Sequence, residues 1–449
     1  MQSNQTAAQI AIPKRILGIL LNSLGSGVVP RTGLEYIAIG RTDEIEAVMR
    51  DLDFISDGGA VCRFIIGRYG SGKSFLLQLI RAHCLERGYA AADVDLSPER
   101  RLSGTKGQGK AVYKTLASGL STKSAPDGNA LPAIVSKWLG MISARFMSEQ
   151  GLTMQSPELD SLVSAEIMRV CSSLEAMVFG FDFGLVLNKL FCASKNGDEE
   201  LKNKSLRWLR GEYATRTEAR AELGVSAIID DSNWYEFIKL FAVFVRKIGY
   251  KGLVIFIDEC VNLYKISNRI SRENNYEKLL SMFNDTIQGK AEGLGIYLGG
   301  TPQFLEDTRR GLYSYEALRS RLSSGFTNPA YRSYMGPVIK LERLSDNEIF
   351  ALALRIASLH KLCYAYDSAV TDDEIMIFLN LRTSKAGALS LITPREIIRD
   401  LLGTLDILFQ NPGAVFSDII KTEYASKSDS ITGDDAVNAF DISLEDIEI

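Results

Sequence analysis

Apolar residues along this chain recur with two periods, and the switches between them divide it. Helical spacing opens the sequence, with an amphipathic leader helix predicted over roughly Gln9 to Leu24. A Gly- and Val-containing turn region leads to Ile37-Ala38-Ile39-Gly40-Arg41, after which Thr42 or Asp43 can cap a second helix. Val61 to Ile66 reads as a buried strand, Phe75 to Leu85 as a helix and Tyr89 to Leu96 as a second strand, closing a βαβ unit. From about residue 98 to 252 no run persuades as a strand. Apolar positions there keep helical spacing, as in Ile134 to Met147, Leu159 to Met177, Leu185 to Phe191 and Trp234 to Ile248. Within that stretch Lys195 to Arg220 is highly charged and reads as a solvated helical face.

Strand signals return at Leu253 to Ile257, Leu294 to Gly299 and Val338 to Leu341, with helical or loop segments between them. Strands separated by helices predict a parallel, three-layer α/β core carrying a large helical insertion. Helix resumes from Leu344 to about residue 410, where Ser345 and Glu348 have the spacing of a capping box, and this segment is expected to form a helical lid. From Ser428 onward the chain is acidic and poor in aromatics, which predicts a flexible or docking tail. The expected divisions are residues 1–50 as an N-terminal segment, 51–343 as the core with its insertion, 344–425 as the lid and 426–449 as the tail.

Composition narrows the class. A chain of 449 residues is too long for one compact core. Its 46% hydrophobic and 24% charged content is that of an ordinary globular protein, and a net charge of −4 confines any nucleic-acid contact to a local patch. The six cysteines (Cys62, Cys84, Cys171, Cys192, Cys260, Cys363) lack metal-ligand spacing and only two histidines are present, which argues against a zinc or Cys–His catalytic centre. Thiols without a pairing pattern suit a reducing compartment. No apolar run approaches the length of a membrane span, and no signal-peptide pattern opens the chain, so a cytoplasmic location away from membranes is expected.

The candidate chemistry begins at Gly67-Arg68-Tyr69-Gly70-Ser71-Gly72-Lys73-Ser74, between a predicted strand and a predicted helix. The glycines Gly67, Gly70 and Gly72 let the backbone curl until its N–H groups converge on phosphate oxygens, and the helix beginning there adds its positive end. Lys73 would reach the β- and γ-phosphates, the Ser74 hydroxyl would hold Mg²⁺, and Ser71 and Phe75 flank the same turn. A nucleoside triphosphate is the expected ligand. Leu253-Val254-Ile255-Phe256-Ile257-Asp258-Glu259 is a buried run ending in two carboxylates. Asp258 suits Mg²⁺ and Glu259 suits deprotonation of an attacking water, so the pair predicts hydrolysis.

Thr301 ends the next strand, where its hydroxyl either holds the nucleophilic water or caps the helix opened by Pro302. In Leu318-Arg319-Ser320-Arg321-Leu322, an arginine can either serve a neighbouring subunit's γ-phosphate or pair with its helix end. Arg321 is favoured over Arg319 for the first role. In Thr393-Pro394-Arg395-Glu396 the arginine stands at a helix N-terminus, where the dipole gives it no reason to be, so Arg395 is the candidate lid contact to phosphate and Arg399 the alternative.

These pieces in this order resemble the AAA+ class of P-loop ATPases: Walker A, Walker B, sensor 1, arginine finger and sensor 2. The resemblance implies an ASCE-like P-loop NTPase fold, an ATP and Mg²⁺ requirement, and Gly40 and Arg41 packed on the adenine side of the site. Thr32-Gly33-Leu34-Glu35, Phe64 to Phe75, Gly299-Gly300-Thr301-Pro302 and Gly311 to Leu322 are similar, more narrowly, to the ATP-binding BrxD family of bacterial BREX phage-defence systems. That similarity implies antiviral defence and assembly with itself or with other defence proteins. No Asn-Lys-x-Asp guanine motif is present, which disfavours a GTPase.

Between Arg100 and Lys110 a Gly-rich loop carries Arg100, Arg101, Lys106 and Lys110. It either tracks a nucleic-acid backbone or is a solvated surface loop. Two functions therefore compete: an oligomeric ATPase acting on or near DNA, and a slow nucleotide-controlled switch or scaffold that assembles other proteins.

Overall fold

The computed structural model describes residues 12–172, 179–323, 333–366, 370–383 and 392–422. The acidic tail, the start of the predicted leader helix and the end of the Leu159–Met177 segment lie outside these residues. In chain order the elements are α1 (Lys14–Gly25), α2 (Thr42–Ser56), β1 (Val61–Gly67), α3 (Lys73–Glu86) and β2 (Ala90–Asp95). Then come α4 (Gln108–Gly119), α5 (Leu131–Gln150), α6 (Pro157–Ser172), α7 (Gly180–Asn196), α8 (Glu199–Leu209), α9 (Arg216–Leu223) and α10 (Trp234–Lys247). The sheet resumes with β3 (Leu253–Asp258), followed by α11 (Val261–Tyr264), α12 (Arg269–Ile287) and β4 (Leu294–Gly300). The chain continues through α13 (Pro302–Glu306), α14 (Glu316–Leu322) and β5 (Val338–Leu341) to α15 (Asp346–Tyr364), α16 (Asp372–Thr383), α17 (Pro394–Gln410) and α18 (Phe416–Ile420). Each strand lies within a residue of its predicted ends. Between β2 and β3 the described residues hold helices and, outside them, only isolated bridges such as Ala91 with Ser121.

The chain forms two compact units. The larger one, Asp43–Ile66 with His83–Lys340, contains the sheet, whose strand order is β2-β3-β4-β1-β5. Parallel pairing sets Ala90 against Leu253, Leu253 against Leu294, and Val61 against Gly295, so β4 sits between β1 and β3. Alternate residues face opposite sides. Phe64, Ile66, Val94, Ile255, Ile257, Ile296 and Leu298 join one continuous core with the helices of the insertion. The opposite face meets α2, where Gly295 leaves room for Ile55: a Cβ on that glycine would lie 2.7 Å from the Ile55 Cδ1.

Two features of this unit are long-range and polar or aromatic. Arg63 on β1 forks onto Asp51 of α2, Nε to Oδ2 at 2.8 Å and Nη2 to Oδ1 at 2.5 Å, with both residues buried. The Tyr297 hydroxyl donates to the same carboxylate at 3.3 Å. On the insertion side, α10 is buried along most of its length, from Trp234 to Val245 apart from the half-buried Glu236, and its buried Lys239 is paired with Asp285 at 2.8 Å. Phe237 stacks on Phe179 and meets Trp208 edge-on, and two turns later Phe244 meets Trp138 and Phe183 edge-on. The insertion is thus built onto the sheet and shares its core. The charged Lys195–Arg220 segment resolves into the end of α7, then α8 and the start of α9, with Arg207 bonded to Glu218 at 2.9 Å.

The second unit comprises Met1–Thr42, Gly67–Ala82 and Leu341–Ile449. Leu17, Leu20, Leu24, Phe350, Ile356, Phe378, Leu401 and Leu405 are among the residues of its own core, so α1 packs with the lid helices. The predicted capping box is present at α15: the Ser345 hydroxyl accepts from the Glu348 N–H, and the Glu348 carboxylate accepts from the Ser345 N–H. α17 starts the same way, with Thr393 and Glu396. These reciprocal bonds satisfy N–H groups that a helix start otherwise leaves orphaned.

Candidate functional site

In the smaller unit, β1 gives way to the loop Arg68–Gly72, from which α3 springs; the first helical bond runs from Leu76 N–H to the Gly72 carbonyl at 2.9 Å. Gly70 and Gly72 have φ of +79° and +85°, values that cost a residue with a Cβ about 1–2 kcal/mol. Space is as restrictive as torsion. A Cβ on Gly67 would lie 2.2 Å from the Ser71 Oγ, and one on Gly70 would lie 2.6 Å from the Thr393 Cγ2. The Lys73 ammonium folds back onto the carbonyls of Gly67 and Arg68, 3.0 Å from each. Ser71 Oγ is buried without a hydrogen-bond partner.

This donor set fits a polyphosphate. It offers an ammonium, glycine N–H groups and the N-terminus of a 14-residue helix, with no carboxylate in the loop itself. Ser74, half-buried in that first turn, has the hydroxyl chemistry to ligate Mg²⁺ beside a bound phosphate, and Phe75 packs on the lid-side core.

Three further predicted residues lie in the same unit. Gly40 takes φ +69° beneath Glu348, whose Oε1 would stand 2.0 Å from a Cβ placed there. Arg41 is buried at 6% exposure, and its Nη2 donates to the carbonyls of Ser71 and Glu342, 2.9 Å each. Arg395 is exposed in the first turn of α17, with its aliphatic stem near Gly27. Arg399, one turn on, lies 3.4 Å from Asp400.

The larger unit holds the carboxylates. Asp258 ends β3 half-buried, and Glu259 follows it exposed, at φ +57°. Asp258 Oδ1 accepts from the Glu259 N–H at 2.8 Å, and the next N–H, of Cys260, bonds the Gly299 carbonyl at 3.0 Å. That bond ties the carboxylate turn to the end of β4, just ahead of Thr301. The Thr301 hydroxyl does serve as a helix cap, accepting from Phe304 N–H at 3.3 Å, and its own proton is left available for a water. Asp95 stands opposite Asp258 in the β2–β3 register. Asp95 is exposed at the strand end, yet partial desolvation of its carboxyl, reinforced by the neighbouring Asp258, Asp93 and Glu259, pushes it above the usual range.

Arg319 and Arg321 lie elsewhere in this unit, both exposed on α14. Arg321 donates from Nε to Asn284 Oδ1 at 3.0 Å and from Nη1 to the Ala317 carbonyl at 2.8 Å. Arg319 is 4.0 Å from Glu316. The basic loop after β2 is tied down at both ends. Asn275 bonds both the N–H and the carbonyl of Ser103, and Asp231 accepts from the N–H groups of Gly107 and Lys110. The Lys110 ammonium is spent on the Tyr213 carbonyl, and Arg100 and Arg101 are half-buried, leaving Lys106 as the exposed cation of the four. Asn275 and Asp231 carry no motif signal, because their partners lie far away in sequence.

A parallel α/β sheet whose first strand runs into a glycine-rich, cation-braced loop is consistent with a P-loop NTPase-like fold. The family model for BREX system ATP-binding protein BrxC/D matches residues 12–424, and the chain belongs to that ATP-binding family of BREX systems. Comparison with curated proteins gives no match. Among the described residues no helix is long and apolar enough to cross a membrane.

Proposed function

We propose that the chain is an AAA+-like ATPase of a BREX anti-phage system, hydrolysing the ATP that its family binds. One observation carries hydrolysis: Glu259 is exposed at the end of a buried strand, directly after Asp258, in a backbone conformation that non-glycine residues avoid. A protein that merely held ATP would gain nothing from a strained, solvent-facing carboxylate there. In this proposal the loop N–H groups and Lys73 bind the phosphates, Glu259 takes the proton of the attacking water, and Thr301 orients that water. Ser74 and Asp258 would hold Mg²⁺, which when bound neutralises phosphate charge. Arg395 supports the phosphates from the lid helix. Arg321 acts on a neighbouring subunit in a homo-oligomer or an assembly with other defence proteins. The strand order, with β4 between β1 and β3, supports the AAA+-like class.

Turnover of ATP by wild type and Glu259→Gln, measured with Mg²⁺, tests this. The variant should bind ATP and lose about 10²–10⁴-fold in rate, the usual worth of a general base; unchanged turnover refutes the assignment. A second reading, the slow nucleotide-controlled switch that assembles other proteins, is favoured by the commitment of Lys110 to Tyr213, since it leaves the basic loop poor in free cations. Duplex DNA decides between them. Stimulated turnover that falls on Lys106→Ala supports action on DNA through Arg100, Arg101 and Lys106, whereas a rate indifferent to DNA supports the switch.

A further inference from the structure

We propose that Arg41 is a positioning residue of the phosphate loop, fixing the direction of the Gly72 N–H while tying the loop to the link that enters the lid. The inference rests on the loop being the phosphate site. Arg41 Nη2 donates to the Ser71 carbonyl at 2.9 Å. In a trans peptide the carbonyl oxygen and the following N–H point in opposite directions. A guanidinium holding the Ser71 oxygen therefore holds the Gly72 N–H away from itself. At Gly72, where φ is +85° and no side chain limits rotation, the peptide otherwise has freedom to turn over. Lys73 holds the Gly67 and Arg68 carbonyls from another side, so cations grip the loop by its oxygens.

The same Arg41 nitrogen donates to the Glu342 carbonyl, one residue past the end of β5 and three before the Ser345 cap of α15. Its neighbour Gly40 lies under the Glu348 carboxylate of that capping box. The Arg41 guanidinium thus joins the phosphate loop to the link entering the lid helix through one main-chain carbonyl on each, with Gly40 packed close to that helix's capping carboxylate. This role is separate from the adenine-side contact expected of Gly40 and Arg41.

Displacement of a fluorescent ATP analogue from the full chain, by MgATP and separately by inorganic tripolyphosphate, tests the proposal. Arg41→Met should weaken both competitors by about tenfold with their ratio unchanged. Arg41→Lys, which keeps the charge but not the planar fork, should recover part of that loss and carries the comparison if Arg41→Met does not fold. Tripolyphosphate binding that is unchanged in both variants overturns the positioning role; if ATP alone weakens, the contact is to the adenosine. Wild type that binds neither competitor refutes the phosphate site itself, an outcome distinct from failure of the variants.

Discussion

Gly70→Ala probes a contact that no motif announces. The added methyl would meet the Thr393 Cγ2 at 2.6 Å and the Thr393 Cβ at 2.9 Å, while the backbone stays at φ +79°. Left-handed backbone costs a non-glycine residue about 1–2 kcal/mol, and overpacking of this kind adds about 1–3 kcal/mol. Gly72→Ala is the natural control. Its torsion is as demanding, at +85°, but its nearest neighbour is the Arg41 Nη2 at 3.8 Å, ordinary contact distance. It should show the torsional cost alone. Thr393→Ser removes Cγ2 and keeps the hydroxyl that caps α17, so alone it should be close to neutral. Combined with Gly70→Ala it should restore about 1 kcal/mol, because the torsional part and the 2.9 Å approach to the Cβ remain. Thermal unfolding reads this out at about 2–4 °C per kcal/mol for a unit of this size. Equal destabilisation by Gly70→Ala and Gly72→Ala, with no rescue by Thr393→Ser, would refute the reasoning.

Two other perturbations follow from the larger unit. Arg63→Met strands Asp51, a buried carboxylate, and should cost about 3–5 kcal/mol in denaturant unfolding, while Arg63→Met with Asp51→Leu should cost markedly less. Asp95→Asn should raise the melting temperature at pH 7.5. A carboxyl whose folded pKa lies above its unfolded value penalises folding once ionised, so the gain should shrink as the pH falls through the carboxylate range towards 4. A gain that is constant with pH would assign it to packing instead.

Much of the fold was legible because local chemistry determined it. Val338–Leu341 opens on two β-branched residues directly after Gly336-Pro337, and Ser345 with Glu348 sits at the one spacing that closes a capping box. The loop from Gly67 to Ser74 was legible for the same reason. The roles of Arg41, Asp51 and Asn275 were not. Their partners, Ser71 and Glu342, Arg63, and Ser103, lie from 12 to 301 residues away, and a periodicity carries no information about such pairs. Thr393 showed its proline and arginine neighbours in sequence, yet its close approach to Gly70 depends on how the lid helices pack. The insertion is a parallel case: its helical period was evident, while its fusion with the sheet core depends on where α10 packs against the strands.

The placement of β4 between β1 and β3 has a consequence for how the chain acquires its structure. Roughly 230 residues separate Val61 from its partner Gly295, and β1 has no sheet neighbour earlier in the chain than β4. Loop-closure entropy makes such a pairing slow relative to local helix formation. During synthesis, β1 and the glycine-rich loop behind it emerge first and wait for β4 while the insertion helices condense. A ribosome stalled before residue 294 would display the Arg68–Gly72 loop at the end of a strand still lacking its β4 partner.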